Sequence, residues 1–585
     1  MDKEPIRRAL LLFALAILPV LAFGPGLTSP LTHFDDPLYL ERAEYSRPGL
    51  SGLDALWQGT RAWSGTFVEY FPLRDSVYWT IFQVFQLQPL PYHLASLFFH
   101  IATTFLVFAF VRKIEQPRWV SAGAALLFAV HPIHIESVVW VAGLKDPMYT
   151  CLLLGCLWLY CHYRQRPSAA IYALSLLLMV AALLVKSMAL SAPLILVAIE
   201  RCVGRTTPWK TIAARLAGPG LICVLFLGQF VALGRINDVR STLHQDSAMA
   251  HVVLSAWAQV AYVRQVVFPS SFRLIYCFAP VESLADGRLL AAVALLVAVV
   301  AALWVWRRRP ERQLALAFYF ACLLPVSNLL PFSAVMADRY LYAASIGACL
   351  LIAQLLAAAR ERLRNTVLAL VVLTFTATTA LRSAVWQDEE MLWEEADEDP
   401  VCMQDPEFPA AFVHFLRYAT AADDETRLSA LTRLLDSRAA AGSGLRCDAW
   451  LNGAQLLSAR GDHARAGEWT QQATASCASH RLLPQTVMLV TLHRDLTVAE
   501  YAAAKWYRLD PRPESGLFRM LTQLESAGIT GSAEDASRQA GILAVVKSAP
   551  HLTCPLLTKW AGEVGAALKA AVSESIDACA ALDAH

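Results

Sequence analysis

Two adjacent carboxylates, Asp35 and Asp36, follow the first apolar run of the sequence, just ahead of Pro37. Carboxylates held side by side repel each other, so partial burial is expected to raise the pKa of one of them. A carboxylate adjusted in this way can act as a general base near neutral pH. The alternative is an Asp-Pro turn on a solvated loop, and this dipeptide alone does not separate the two interpretations.

Further ionisable side chains lie at the ends of apolar runs or in the first loop. A charge in or beside hydrocarbon is costly, so each such residue is a functional candidate by default. Lys186 needs an anionic partner unless it snorkels to the interface. Arg339 either pairs with Asp338 or clamps a phosphate, whose oxygens match guanidinium donors. The set comprises His93, His131, His134, Glu136, Lys145, Asp146, Lys186, Asp338 and Arg339.

The densest group of these residues surrounds a proline. His131, His134 and Glu136 resemble metal ligands in type. However, ligands spaced i, i+3 need a regular helix, and Pro132 favours a turn. The favoured interpretation is a polar wall that binds a phosphate or a sugar, with Lys145 as its cation.

The composition indicates what must position these residues. Of 585 residues, 56% are hydrophobic and only 17% are charged, and the mean hydropathy is +0.44. Soluble domains carry about 25% charged residues, so a single water-soluble globule and a disordered chain are both excluded. The 49 basic and 48 acidic residues nearly cancel, which leaves no overall field to attract nucleic acid. We therefore predict an all-α protein that crosses a membrane several times.

About eleven apolar runs approach the roughly 20 residues that a spanning helix needs. Lys and Arg are concentrated in every second loop, which predicts a cytoplasmic N-terminus and, with an odd span count, a tail outside the cytoplasm, periplasmic if the membrane is a bacterial inner membrane. The predicted membrane domain is residues 1–385, with outer loops at about 28–90 and 235–287 whose amphipathic segments lie on the interface or roof a cavity. The predicted spans are 8–27, 91–111, 119–140, 147–163, 169–186, 188–203, 211–234, 288–306, 313–330, 341–359 and 365–385.

Residues 386–585 form a predicted helical tail domain. Trp450, Gly461, Ala466 and Ala473 fit the spacing of a tetratricopeptide repeat, and a generic helical bundle is the alternative. Disulfides are allowed in a tail outside the cytoplasm, but the sequence does not give their pairing. The tail cysteines are Cys402, Cys447, Cys477, Cys554 and Cys579.

Taken in order, several segments resemble GT-C fold glycosyltransferases that use polyprenyl-phosphate sugars. The likeness is to the transmembrane and tetratricopeptide-repeat O-mannosyltransferases and their bacterial relatives. The matching motifs occur in the same order over about residues 5–400. The tail resembles the family only in its helical, repeat-like character. The most specific segment is 128–146. The other matching segments are 33–36, 92–93 with His100, 324–328, 337–342 and 386–400.

The resemblance implies that an aspartate on the first outer loop takes the proton of an acceptor hydroxyl on a protein serine or threonine. The hydroxyl oxygen then attacks the sugar and displaces the lipid phosphate with inversion. By this likeness Asp35 is the base, and Asp36 orients the acceptor or the donor. Some GT-C enzymes also use a divalent metal, which these two carboxylates could help to hold, and others use none. The implied phosphate-binding cations are Lys145, Lys186, Arg339 and Arg74, and the supporting polar residues are His93, His131, His134, Glu136, Asp146 and Asp338.

The sequence departs from the family pattern at four positions. Relatives tend to carry Arg where Phe71 and Leu144 stand, and Glu where Ser187 and Asp338 stand. These changes fit either an altered donor sugar or a chain that kept the fold and lost the chemistry. The main alternative is therefore a degenerate membrane scaffold whose tail binds an extracytoplasmic protein. A polysaccharide polymerase or ligase, or a transporter, is less favoured, and the sequence names neither sugar, lipid nor acceptor.

Overall fold

The computed structural model describes most of residues 4–392 and part of residues 414–476. The chain divides into two compact units, Met1–Met403 and Gln404–His585, which are treated separately below. The positions outside the described residues are 1–3, 33–34, 41–44, 46–48, 59–69, 204–206, 233–247, 275, 277, 280, 282, 284–285, 330–333, 390, 393–413, 415–416, 419–420, 422, 437–443 and 477–585.

Every regular element among the described residues is helical. Short 3₁₀ turns join several helices of the first unit, and four of these turns carry candidate site residues or flank them: Pro132–His134, Val141–Leu144, Ser187–Ser191 and Asp338–Tyr340. The α-helices of the first unit are α1 Glu4–Phe23, α2 Asp36–Leu40, α3 Ser51–Gln58, α4 Pro72–Phe85, α5 Pro89–Lys113, α6 Arg118–Ala129, α7 Ile135–Val138, α8 Lys145–Gln165, α9 Ala169–Leu183, α10 Ala192–Cys202, α11 Trp209–Ala232, α12 Ala248–Val267, α13 Gly287–Val305, α14 Pro310–Leu323, α15 Leu341–Leu356 and α16 Glu361–Ala384.

Among the described residues, six helical stretches are long and apolar enough to cross a bilayer. They make the chain an integral helical membrane protein, as predicted. Each of the eleven predicted spans contains a helix, but several of these helices are short, so the count of eleven stays a prediction. The six stretches are Pro5–Thr28, Pro89–Lys113, Trp209–Gln229, Gly287–Val305, Asp338–Leu356 and Glu361–Gln387.

The predicted span 119–140 does not form one continuous helix. Its helix, α6, ends at Ala129, and Pro132 opens the 3₁₀ turn that follows. Proline lacks a backbone N–H and clashes with the preceding turn of a helix, which explains the break. The polar segment after Ala129 is therefore folded into short turns, and all of residues 130–150 are buried.

Helices α14 and α15 pack closely where a side chain would not fit. A Cβ added to Gly347 would lie 2.5 Å from the carbonyl oxygen of Ala315 and 2.7 Å from the amide nitrogen of Tyr319. Glycine at this position therefore permits the contact between the two helices. The close packing holds α15 in place, and the 3₁₀ turn just before α15 carries Asp338 and Arg339.

The described part of the second unit contains three helices, α17 Asp424–Asp436, α18 Gly444–Ala459 and α19 His463–Ser476. Helices α18 and α19 pack as a pair, with the Trp469 ring against Gly453. Gly461 takes a φ of +80° in the turn between them, which glycine adopts without steric cost. One helix pair does not establish a tetratricopeptide repeat, so that prediction stays open. Of the tail cysteines, Cys447 is disulfide-bonded, and the others lie outside the described residues.

Candidate active site

The folded segment between α6 and α8 carries Glu136, Lys145 and Asp146. Glu136 lies in the one-turn helix α7, and Lys145 and Asp146 are the first residues of α8. A Cβ added to Gly143 would lie 2.4 Å from the carbonyl oxygen of Glu136. Glycine at this position lets the turn before α8 pack directly on α7, which brings the three side chains to one wall.

Arg339, in the 3₁₀ turn Asp338–Tyr340 before α15, contacts this wall. Its Nη1 bonds to Glu136 Oε1, and its backbone N–H donates to Glu136 Oε2 at 2.8 Å. Asp338 instead accepts a hydrogen bond from the Tyr276 hydroxyl at 2.9 Å and one from Gln265 Nε2 at 3.4 Å. The partner of Arg339 is therefore Glu136, rather than the neighbouring Asp338 that the sequence suggested as an alternative.

Lys186 also finds its partner on the wall. Its Nζ lies 2.5 Å from Asp146 Oδ1, and both side chains are buried. The family resemblance implies a lipid phosphate as the anionic partner of Lys186. In the structure the carboxylate of Asp146 is its partner. Lys186 still interacts electrostatically with Lys145 and Arg339, so the three predicted cations lie in one cluster.

Lys145 is held by aromatic residues that the sequence argument did not select. Its Nζ donates to the Tyr39 hydroxyl at 2.9 Å and lies 4.7 Å from the centre of that ring. The Trp140 ring lies 6.0 Å from Lys145 Nζ and 5.5 Å from Arg339 Cζ. The signal for Tyr39 was its position three residues after Asp36, which puts both on one face of a helix.

The two adjacent aspartates occupy different environments. Asp36 is buried: its Oδ2 accepts from Thr32 N at 2.8 Å and from Thr32 Oγ1 at 3.0 Å, and its Oδ1 accepts from Ala142 N at 2.8 Å. Burial raises the pKa of Asp36 to about 7, although these hydrogen bonds favour the charged form. Asp35 is half-buried and interacts electrostatically with Arg339. Asp36 therefore anchors the loop, while Asp35 is the more accessible carboxylate.

Six of the predicted residues thus form one group, which we name the charged cluster. Its acidic members include the half-buried Asp35, and two of its cations, Lys145 and Arg339, lie beside the Trp140 ring. Their roles in chemistry stay predictions, since proximity alone does not assign them. The cluster consists of Asp35, Glu136, Lys145, Asp146, Lys186 and Arg339.

Arg74 lies beside the charged cluster. Its Nε donates to Asp75 Oδ1 at 2.8 Å, and its Cζ lies 4.6 Å from the centre of the Tyr39 ring. The ring of Tyr39 is therefore shared by two cations, Arg74 and Lys145. This contact joins the first outer loop to the wall that precedes α8.

The predicted supporting histidines are buried and bonded to neighbouring segments. These contacts connect helices, and a further role for these rings stays a prediction. The bonds are His93 Nε2 with Ser29 O at 3.0 Å, His131 Nε2 with Val266 O at 2.9 Å, and His134 Nε2 with Ser345 Oγ at 2.9 Å.

A divalent metal held by Asp35 and Asp36 stays a prediction. Within the described ranges, no group of three or more His, Cys, Asp or Glu side chains is placed to hold a metal ion. Asp36, one of the two carboxylates considered for this role, already accepts three hydrogen bonds from N–H and O–H donors. The reaction proposed below is therefore written without a metal.

The helices and the charged cluster together define a multispan membrane protein with a buried polar site. Comparison with known proteins identifies its relatives, although no protein-family model matches the chain. It is 23% identical over 415 residues to protein O-mannosyl-transferase F38B6.6 of Caenorhabditis elegans, covering 67% of this chain and 57% of that protein. It is 26% identical over 370 residues to protein O-mannosyl-transferase TMTC3 of Homo sapiens, covering 55% and 40%.

A shorter match reaches higher identity. Over 133 residues the chain is 35% identical to protein O-mannosyl-transferase Tmtc1 of Drosophila melanogaster, covering 22% of this chain and 15% of that protein. The matches thus cover from about one seventh to just over half of the relative's length, depending on the relative. The resemblance to O-mannosyltransferases is confirmed, because the homologues of this chain are named protein O-mannosyl-transferases.

Proposed function

We propose that this protein transfers a sugar from a polyprenyl-phosphate donor to a hydroxyl group of a protein, at the outer face of the membrane. The observation that carries the proposal is the charged cluster, in which two buried cations, Lys145 and Lys186, lie together with the half-buried Arg339 and Asp35. The names of the homologues support a protein as acceptor and mannose as the first sugar to test.

Each part of the reaction has a residue suited to it. Asp35 accepts the proton of the acceptor hydroxyl, whose oxygen attacks the anomeric carbon of the sugar. The bond between that carbon and the phosphate oxygen breaks, and the configuration inverts. Lys145, Lys186 and Arg339 stabilise the negative charge that develops on the leaving phosphate, because fixed cations in a water-poor site act strongly on such charge.

The orientation of the chain is part of the proposal. The alternation of basic loops supports a cytoplasmic N-terminus and a tail outside the cytoplasm. The disulfide at Cys447 supports the same orientation, since disulfides persist in oxidising compartments. The tail then meets the acceptor protein on the side where the sugar is transferred.

The experiment compares wild type with Asp35→Asn in vesicles that contain radiolabelled polyprenyl-phosphate mannose and a serine- and threonine-rich acceptor peptide. Loss of the base is expected to lower transfer by about 10² to 10⁴-fold. Asp54→Asn is the matched control, because Asp54 is an exposed carboxylate on α3 in the same outer loop. Equal transfer by Asp35→Asn and wild type would exclude Asp35 as the base.

A second function, a membrane scaffold without catalysis, is favoured by one observation. Lys186 and Arg339 are already neutralised by Asp146 and Glu136, as expected for ion pairs that only hold helices together. In that case wild type transfers no sugar in the same vesicles. Deleting residues 404–585 would then abolish capture of the protein partner, whereas Asp35→Asn would not.

A further inference from the structure

Trp140 contacts two cations of the charged cluster that come from distant parts of the chain. Its side chain is buried, directly before the 3₁₀ turn Val141–Leu144. Lys145 Nζ lies 6.0 Å from the centre of the ring, and Arg339 Cζ lies 5.5 Å from it. A cation within about 6 Å of a ring centre is attracted to the electron-rich face, and tryptophan attracts it most strongly. One indole therefore interacts with both charges.

The N–H group of this indole is bonded to the first outer loop. Trp140 Nε1 donates to Thr32 Oγ1 at 3.1 Å, and Thr32 Oγ1 donates to Asp36 Oδ2 at 3.0 Å. An indole nitrogen can only donate, so the threonine oxygen accepts from it and the hydroxyl hydrogen is free to donate to the carboxylate. We name the side chains of Trp140, Thr32 and Asp36, joined in this way, the Thr32 bridge.

The Thr32 bridge is shielded from water and reinforced by the backbone. Its three residues are all buried, so water does not compete for the two hydrogen bonds. Asp36 Oδ1 also accepts from Ala142 N at 2.8 Å, two positions after Trp140. The first outer loop thus binds the turn that carries Trp140 at two points, one on the backbone and one on the indole. A buried polar network whose members are bonded in this way favours a single arrangement.

We propose that Trp140 is a positioning residue for the phosphate of the lipid-linked donor, an inference that rests on the proposed transferase function. The Thr32 bridge fixes the plane of the indole, and the indole fixes where Lys145 and Arg339 place their charges. Fixed charges stabilise a leaving phosphate well because they need not reorganise during the reaction. Asp35, the proposed base, adjoins the bridge in the sequence, so the same bridge sets the position of the base relative to the cations.

The first test measures the binding of polyprenyl phosphate and of uncharged polyprenol to the full-length protein in mild detergent. The two lipids differ only in the phosphate group, so the ratio of their Kd values reports how well the protein binds that group. Thr32→Val keeps the shape of the side chain and removes its hydroxyl. We expect it to weaken binding of polyprenyl phosphate about tenfold, the effect of one lost buried hydrogen bond, and to leave binding of polyprenol unchanged.

Two further variants control this test. Thr32→Ser restores a hydroxyl and should return the ratio of Kd values to that of wild type. Thr104→Val is the matched control, because Thr104 is also buried and its hydroxyl donates to His100 O within α5. If Thr32→Val weakens binding of both lipids equally, the bridge only supports folding and the positioning role is overturned. Equal binding of the two lipids by wild type overturns it as well.

The indole itself is tested by a second pair of variants. Trp140→Phe removes the N–H group and weakens the interaction with both cations, so we expect it to change the ratio at least as much as Thr32→Val does. Trp119→Phe is the matched control and should keep the wild-type ratio. Trp119 on α6 makes the same kinds of contact elsewhere: Nε1 donates to Asn365 Oδ1 at 2.7 Å, and Arg364 Cζ lies 5.0 Å from the ring centre.

Combining the two changes shows whether Thr32 acts through the indole. If it does, the double variant Thr32→Val with Trp140→Phe should bind polyprenyl phosphate no more weakly than Trp140→Phe alone, because residues in one network are not additive. Additive losses would mean that the hydroxyl acts by another route, which overturns the role of the bridge.

These binding measurements need no sugar transfer, so they separate this inference from the proposed function. A changed ratio in Thr32→Val supports the positioning of a lipid phosphate even if wild type transfers no mannose and the proposed function fails. If wild type transfers mannose and Asp35→Asn does not, an unchanged ratio in Thr32→Val overturns the positioning role and leaves the proposed function intact.

Discussion

Two buried charged networks lie at opposite ends of α8 and are built from the same kinds of side chain. The charged cluster lies at its first residues. At its other end, Glu200 Oε1 accepts from the Tyr160 hydroxyl at 2.8 Å and lies 3.0 Å from both Arg164 Nε and Arg215 Nη1. We call these four residues the Glu200 network. The 21 residues of α8 separate the two ends by about 30 Å.

The two networks differ in what surrounds them. In the Glu200 network a single carboxylate oxygen receives all three partners, which ties α8, α10 and α11 together. In the charged cluster Lys145 and Arg339 lie beside Trp140, and Glu136 borders a small pocket. Burial and charge alone therefore do not distinguish a functional site from an ion-pair network that only holds helices together. The distinguishing feature is that a charged side chain of the cluster, Glu136, lines a pocket.

The largest expected effect tests whether the charged cluster does chemistry at all. Lys145→Met removes one cation from the leaving phosphate, so we expect kcat for sugar transfer to fall by about 10² to 10³-fold. Initial rates with radiolabelled polyprenyl-phosphate mannose measure the loss. Lys210→Met, an exposed lysine on α11, is the matched control. If Lys145→Met transferred sugar at the wild-type rate, the charged cluster would only hold helices together, like the Glu200 network.

The next effect is on stability and concerns the other network. Glu200 is fully buried, and Glu200→Gln leaves Arg164 and Arg215 without their carboxylate. Breaking a buried ion pair in this way is expected to lower the free energy of unfolding by about 3 to 5 kcal/mol. Unfolding by denaturant in mild detergent measures it, with the exposed Glu361→Gln on α16 as control.

The rate of sugar transfer per folded molecule separates the two networks further. It is expected to stay at the wild-type value in Glu200→Gln, since this residue lies at the far end of α8. If Glu200→Gln had normal stability but transferred no sugar, Glu200 would not be a purely structural residue. The two networks would then no longer differ in function.

The sequence predicted the charged cluster better than the Glu200 network. Lys145, Lys186 and Arg339 stand at the ends of apolar runs, where a charge is conspicuous. Glu200 lies inside the predicted span 188–203 and was not selected, because its partners come from other helices. The same applies to Arg339 and Glu136, which are 203 positions apart in the sequence. Long-range partners cannot be read from local pattern.

The fold shows the same division between local and long-range information. Apolar runs predicted the existence of helices, and Pro132 indicated a turn, but the end of α6 at Ala129 had to be observed. Uncharged residues of the outer loops give little local signal: only the spacing from Asp36 marks Tyr39, and nothing nearby marks Tyr276. They became visible as site residues only through their contacts with Lys145 and Asp338.

The pH dependence of stability tests the difference between the adjacent aspartates. Burial raises the pKa of Asp36 from 3.8 to about 7, so the folded state binds more protons than the unfolded state between these values. The free energy of unfolding contributed by this group therefore falls as pH rises from about 4 to about 7 and is constant above. Thermal unfolding at several pH values measures it.

Asp36→Asn should lose this component of the pH profile, and Asp54→Asn should keep it. An unchanged profile in Asp36→Asn would show that another group is responsible. Because this prediction concerns folding, it holds whether or not Asp35 is the base. It therefore tests the anchoring of the first outer loop separately from the chemistry of the charged cluster.

The smallest expected effect concerns how Tyr39 holds two cations. Tyr39→Phe keeps the ring near Arg74 and Lys145, so the cation–π contacts remain. It removes only the hydroxyl that accepts from Lys145 Nζ, and a hydrogen bond to a charged group stabilises by about 1.5 to 3 kcal/mol. We expect KM for the donor lipid to rise about tenfold, with a smaller change in kcat, because the cation is less well positioned.

Tyr70→Phe is the matched control for this last effect, since the Tyr70 hydroxyl bonds to Trp57 O at 2.6 Å in the same outer loop. Tyr39→Leu removes the ring as well and should raise KM further than Tyr39→Phe. If Tyr39→Phe and Tyr70→Phe behave alike, the hydroxyl of Tyr39 does not position Lys145. The ring of Tyr39 alone would then hold the two cations, and the further rise of KM in Tyr39→Leu would measure that contribution.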